Sequence, residues 1–453
     1  MKLNTTQFLK SAALAVPLAL SPMAATVVLD AFGVQSSFAK AKAQDEAPQR
    51  KTRKTPALSQ PVFKKLAVVN ALVNPPEDDE DAKPDFDAAL AELKKLEAKD
   101  AKKWNEYELA NLYNTYGFVY YSLENYTQAV KYYKLVIAQS PNIPLGLELS
   151  TLYTVAQLQF VSEDYKGALE SLQAWFKQQD PLFINADNYA LLSQAYYQNK
   201  DFDNSLKNIY KAIDLYKEKG KQPKENWYSI ALAIEFEREN YKEVAGILEI
   251  LVRTFPKPSY YKQLAGIYGL IGKENDQIYL TDATYVAGMV DKEQEALNLV
   301  FMMMGEGYSF RAAKILEKGM DSELIEKTSK NLEHLSNAWL ISQETEKAIT
   351  ALTEAAQISN KGDLYARLAG LYVDDNQEKK ALEIADKALK LGDINRKDSL
   401  YVSIGMANAN LGRWQPAINA FREAAKDKRS RAFAENWMKY CQGELEREQK
   451  LNS

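Results

Sequence analysis

Thiol and imidazole are almost missing from this chain: its 453 residues hold one cysteine, Cys441, and one histidine, His334. A disulfide framework is thereby excluded. A zinc site would have to be built from carboxylates, against that ion's preference for nitrogen and sulfur ligands. A histidine-based triad or general base has a single residue to draw on. Glycine (19) and proline (15) are sparse for the length, which leaves long stretches free to be helical. Neither sign of charge dominates, with 57 Lys and Arg against 61 Asp and Glu. That balance does not point to nucleic acid or to a broad anionic surface as the main partner. No glycine-rich phosphate loop is present. The sequence thus predicts no enzyme, no cofactor and no metal.

What the N-terminus does contain is one long uncharged stretch, residues 11–29, rich in Ala, Leu and Val and preceded by a short polar start that Lys2 and Lys10 flank. Small-x-Ala triplets follow at Ser37-Phe38-Ala39 and Ala41-Lys42-Ala43, the order expected of a secretory signal. An uncleaved anchor is the alternative, since the stretch just reaches the length of a bilayer span, although Pro17 and Pro22 interrupt it. Removal of residues 1–39 takes away Lys2, Lys10 and Asp30 and leaves 55 basic against 60 acidic residues. Residues 40–57 show no periodicity and read as a flexible basic tether carrying Arg50, Lys51, Arg53 and Lys54. This run is either solvated or a foothold on anionic headgroups or an acidic partner.

From residue 58 the chain repeats itself. A small residue recurs at Ala89, Ala129, Ala168, Ser205, Val244, Gln277, Ala312, Ala348, Ala381 and Ala417, at intervals of 33 to 40 residues. An aromatic stands three residues earlier in six of the ten units, at Phe86, Tyr126, Tyr165, Phe202, Tyr241 and Trp414. A second track of small residues runs twelve positions before the first, at Gly117, Ala156, Ser193, Ala265, Ser336, Ala369 and Gly405. Two such tracks let two helix backbones approach closely, and helical periodicity such as Leu112, Tyr116, Val119 and Tyr120 supports the reading. Tyr113, Tyr116-Gly117, Tyr120, Ala129, Tyr133 and Pro141 fill the tetratricopeptide-repeat (TPR) pattern in register, and the chain resembles that family over residues 58–450. The resemblance implies an all-α, superhelical TPR solenoid of about ten antiparallel helix pairs with a C-terminal capping helix. Its expected parts are an atypical first pair with an acidic loop (58–104), a regular subarray (105–257) and degenerate units (258–320). A second subarray (321–430) and the cap (431–453) complete it.

In TPR proteins the first helix of each pair lines a concave face. By register, that lining includes Asn111, Asn114, Phe118, Tyr121, Tyr153, Gln157, Phe160, Gln194, Tyr197 and Phe236, amides and rings suited to holding a peptide. The same rings could instead pack between helices. The later units present smaller, less polar residues there, Leu340 among them, so the N-terminal half is the expected groove. The acidic run at residues 77–81 lacks the alternating pattern of a calcium loop. Met302-Met303-Met304 read as core, and His334 and Cys441 as structural.

Several stretches together resemble a narrower family, the periplasmic TPR protein that accompanies TonB–ExbB–ExbD energy-transduction complexes in Gram-negative bacteria. They are Lys51-Thr52-Arg53-Lys54-Thr55-Pro56-Ala57-Leu58, the run Glu108-Leu109-Ala110-Asn111-Leu112-Tyr113-Asn114-Thr115-Tyr116-Gly117, and residues 141–159 and 190–198. The resemblance implies a periplasmic scaffold whose partners are TonB, ExbB, ExbD or a TonB-dependent receptor. It would support outer-membrane uptake of iron carriers such as siderophores or haem, with peripheral contact to the inner membrane as a further expectation. Another envelope adaptor, for outer-membrane assembly, cell-wall enzymes or secretion, is the alternative.

Overall fold

The computed structural model describes residues 53–75 and 83–451. The stretch expected to be an export signal, Arg50, Lys51 and the acidic run at residues 77–81 lie outside the described residues. Every regular element among the described residues is helical, and no helix there is long and apolar enough to cross a membrane.

The chain divides into two compact units at Phe255 and Pro256. The first holds α1 (Gln60–Val73), α2 (Phe86–Lys99), α3 (Glu106–Ser122), α4 (Tyr126–Ile137), α5 (Leu145–Val161), α6 (Tyr165–Gln178), α7 (Ala186–Gln198), α8 (Phe202–Glu218), α9 (Glu225–Glu237) and α10 (Tyr241–Thr254). The second holds α11 (Pro258–Leu270), α12 (Glu274–Val286), α13 (Glu293–Gly305), α14 (Ser309–Asp321), α15 (Ser329–Ile341), α16 (Thr345–Ser359), α17 (Gly362–Asp374), α18 (Glu378–Leu391), α19 (Lys397–Asn410) and α20 (Trp414–Ala424). A final helix, α21 (Arg431–Leu451), packs on α20. Among the described residues each unit is therefore a stack of five helix pairs, and the stretch expected to be degenerate still folds as the two pairs α11/α12 and α13/α14.

One turn recurs within these pairs. Between α3 and α4, Glu124 takes a left-handed conformation (φ 57°), Asn125 N–H donates to Tyr120 O at 2.9 Å and Glu124 N–H donates to Tyr121 O at 2.9 Å. This is a Schellman-type stop, which satisfies carbonyls the helix leaves open. Glu163, Lys200, Glu239, Gly272, Gly307, Gln343, Asn376 and Gly412 repeat the positive φ at the same register. At three of these turns in the first unit the next helix then starts on a side-chain cap: Asn125, Asp164 and Asp201 accept the N–H groups of Gln128, Gly167 and Asn204.

The small residues do what their spacing required. Nine of the ten on the second helices are buried, and Gln277 is the departure. Its side chain lies beside Gly269, whose missing Cβ would stand 2.6 Å from Gln277 Oε1. Where helices of a pair cross, Ser193 and Ser205 exchange hydrogen bonds (Ser193 Oγ to Ser205 O, 2.8 Å; Ser205 Oγ to Ser193 O, 2.9 Å), and Ser336 Oγ donates to Ala348 O at 2.8 Å. First helices are covered on several sides: α3 buries nine residues, α4 only Ala129, Tyr133 and Val136. Met303 is buried in the core of the second unit, as its neighbours' partial burial also fits.

The tether expectation requires correction at its C-terminal end. Residues 53–57 are held against the first unit: Arg53 pairs with Glu148, and Asn105 Nδ2 donates to Ala57 O at 3.1 Å. Arg53 is thus engaged by a buried carboxylate of its own chain, while Lys54 is exposed.

Candidate protein-binding faces

In each unit some first helices lie side by side, α1 with α3, α7 with α9 and α17 with α19, so their side chains share one face. The ten residues assigned to that face from the sequence do not all reach it. Phe160 is 1% exposed and belongs to the core with Ala156, Leu172 and Leu192, so it cannot receive a partner. Asn111 and Asn114 are 9% and 8% exposed, and Asn111 Nδ2 donates to Tyr107 O at 2.7 Å within its own helix. Phe118, Tyr121, Tyr153, Gln157, Gln194, Tyr197 and Phe236 are half-buried.

The half-buried rings are braced rather than free. Tyr121 meets Tyr126 (6.2 Å between centroids), Tyr197 meets Phe202 (5.9 Å) and Phe236 meets Tyr241 (5.9 Å). Each pair is five residues apart and spans the turn of one helix pair; the buried Phe160 makes the same contact with Tyr165 at 5.4 Å. The i, i+5 spacing is visible in the sequence and marks these rings as turn braces. Tyr153 packs on Trp175 at 5.2 Å, and burial pushes its phenol up in pKa. Burial raises Tyr197 likewise, and the charge of Glu237 on α9 adds to it, so this hydroxyl faces any partner as a neutral donor.

The second unit presents a different face, which the sequence reading ranked below the first unit's and of which it named Leu340 but not Leu270, Phe301 or Ile341. Leu270, Phe301, Leu340 and Ile341 on its first helices are 47%, 43%, 41% and 62% exposed. Phe301 stands edge-on to His334 at 4.9 Å, and burial together with Lys330 holds the imidazole below its ordinary pKa, neutral at pH 7. Beside them Arg367 donates to Glu333 at 2.8 Å and to Asn337 Oδ1 at 2.9 Å, a fixed polar border. Leu340 falls four residues after Ser336, the offset of Tyr121 from Gly117, and Phe301 falls eleven before Ala312, the offset of Phe118 from Ala129; that shared register is the signal that would have found these two. Cys441 is fully buried between α20 and α21, and that burial raises its thiol pKa.

Helix pairs that repeat one turn and one close crossing, and that offer exposed rings and amides on adjacent first helices, define a helical-repeat scaffold for binding proteins. The tetratricopeptide-repeat pattern itself matches residues 110–143 and 186–219, which hold α3/α4 and α7/α8. The fold is a tetratricopeptide-repeat array. No curated protein sequence matches the chain. Among solved structures, a MamA protein shares 22% identity over 39% of this chain and 93% of its own, with a TM-score of 0.32. The Cut9–Hcn1 hetero-tetramer of the APC/C shares 15% over 80% and 81% (TM-score 0.29). MamA from Desulfovibrio magneticus RS-1 shares 16% over 37% and 93% (TM-score 0.26). Likeness of this degree says nothing of what the present chain binds.

Proposed function

We propose that this protein is a periplasmic scaffold that binds components of a TonB–ExbB–ExbD complex and supports TonB-dependent uptake of iron carriers across the outer membrane. The observation that carries the scaffold reading is the set of turn-braced, half-exposed rings on adjacent first helices of the first unit. Rings already fixed by Tyr126, Phe202 and Tyr241 lose little side-chain freedom when a peptide covers them, which favours binding. The choice of partner is supported by the sequence resemblance over residues 51–58, 108–117, 141–159 and 190–198. The export signal read at residues 1–39 supports the compartment.

The test is made in the native cell. A photo-crosslinking residue placed at Gln194 or Gln157 is expected to capture TonB, ExbB, ExbD or a TonB-dependent receptor from the periplasmic fraction. Deletion of the gene is expected to slow growth when iron is supplied only as siderophore or haem. Capture of outer-membrane assembly or cell-wall proteins instead, with uptake unchanged, would overturn the TonB assignment and leave a different envelope adaptor.

A further inference from the structure

Residues 53–59 lie without regular structure along the edge of the first unit where each second helix hands over to the next first helix. Ser140 stands in the α4–α5 connection, Glu148 in the first turns of α5, Gln178 at the end of α6, and Asn105 and Glu108 at the start of α3. All five meet this segment.

Three acceptors from three elements converge on one side chain. The Glu148 side chain is 4% exposed and pairs with the Arg53 guanidinium; it also accepts from Ser140 Oγ at 3.0 Å. Arg53 further donates to Ser140 Oγ and to Gln178 Oε1, each at 3.4 Å. A planar guanidinium with donors in a fixed fork suits such a set, whereas an ammonium offers a single point of charge. Four and six residues on, the backbone is read as well. Ser59 N–H donates to Glu108 Oε1 at 3.1 Å, while Asn105 Nδ2 donates to Ala57 O at 3.1 Å. Between these two contacts Leu58 packs, half-buried, on the core that contains Val62, Leu66 and Leu93. Pro56 restricts its own φ and keeps the segment extended.

A charged anchor, two backbone clamps and an apolar anchor are the parts by which proteins hold extended peptides. We propose that this edge is a binding site for an extended, arginine-bearing peptide with a leucine five residues after the arginine, and that residues 53–59 are its resident occupant in cis. The segment stays bound because its covalent attachment gives it a high effective concentration. Removing its arginine leaves Glu148 buried without its charged partner, and a peptide supplying a guanidinium in trans restores that pairing.

The experiment uses the full chain and a fluorescent peptide with the sequence of residues 51–61. The Arg53→Ala chain is expected to bind this peptide at least about ten-fold tighter than the unaltered chain, the worth of one charge-assisted hydrogen-bonded contact. The gain is lost when the peptide carries the Arg53→Ala change, or when Glu148→Gln is added to the chain. Thermal unfolding covers a variant too unstable for titration: the arginine peptide raises the Tm of the Arg53→Ala chain and the alanine peptide does not. Equal binding by both chains, equal binding of both peptides, or no Tm difference between them would overturn the proposal. It does not depend on which protein binds the first-helix faces, and neither outcome bears on the TonB assignment.

Discussion

Glu124 and Gly412 occupy one position of the same turn, with φ of 57° and 69°, yet only glycine adopts that conformation without a Cβ penalty. Glu163, Lys200, Glu239 and Gln343 carry the same strain. Glu124→Gly and Lys200→Gly are each expected to stabilise the protein by about 0.5–1 kcal/mol, the left-handed penalty less the added freedom of an unfolded glycine. Gly412→Ala is expected to destabilise by about 1 kcal/mol through conformation alone, because an added Cβ there meets nothing within 4 Å. Gly117 is different in kind. An added Cβ would stand 2.5 Å from Tyr133 Cε1, and Tyr133 is 2% exposed, so its ring has nowhere to move. Gly117→Ala is expected to lose about 1–3 kcal/mol by overpacking. Chemical denaturation of the four variants gives the losses and gains, and near-ultraviolet circular dichroism separates the two effects, since only Gly117→Ala should displace a buried ring, that of Tyr133.

At the scale of the helix, buried acids recur near the starts of first helices: Glu108 in α3, Glu148 in α5 and Asp398 in α19. The positive end of the helix favours an anion there, and each acid finds donors from neighbouring elements. Asp398 accepts from Arg396 (Nε at 3.0 Å, Nη2 at 2.9 Å) and from Ser430 Oγ at 2.7 Å, which ties α19 to the start of α21. The Arg396 hydrogen bonds lead in holding its carboxyl far below the ordinary 3.8; burial opposes them, and Ser430 and Arg429 assist. A depressed folded pKa means stability that is present above the unfolded value and lost as pH falls toward the folded one. Asp398→Asn is therefore expected to lower the Tm at pH 7. The difference between variant and parent should hold down to about pH 4 and shrink steadily below it. A constant difference from pH 7 to pH 2.5 would show that shape, not charge, matters at this site. Such partnerships also mark where sequence reading stopped. Small residues recur because close helix crossings demand them, so the period, the pairing and the fold were legible. Arg53 and Glu148 are 95 positions apart, and nothing local in either neighbourhood announces the other. Phe160 occupies the same register as Tyr121 and Tyr197; its full burial depends on Leu172 and Leu192 from neighbouring helices, a contact that helical spacing does not encode.

Over the whole molecule, the two units distribute their exposed apolar surface differently. From α3 to α9 the first unit's face is made of rings braced across turns and set among amides, with exposed apolar side chains confined to Phe63 and Val68 on α1, whereas the second exposes Leu270, Phe301, Leu340 and Ile341 along α11, α13 and α15. Braced rings bind with little loss of freedom and, being half-buried, also contribute to the fold they stand on. Tyr121 and Tyr197 touch Tyr126 and Phe202, so replacing both with Ala removes two ring–ring contacts, worth about 0.5–1.5 kcal/mol each. That loss is local to two turns and leaves the helix pairs in place, because the crossings rest on Gly117 against Tyr133 and on Ser193 against Ser205. The Tyr121→Ala, Tyr197→Ala chain is accordingly expected to keep its helical circular dichroism, to melt a few degrees lower, and to lose most of its affinity for the partner crosslinked in cells. Phe301→Ala with Leu340→Ala is the matched control: both side chains are over 40% exposed and one ring contact, Phe301 with His334, is lost instead of two, so the melt should fall by less. If affinity survives the first pair of changes and falls with the second, the partner sits on the exposed apolar face of the second unit, and the braced rings serve the fold alone.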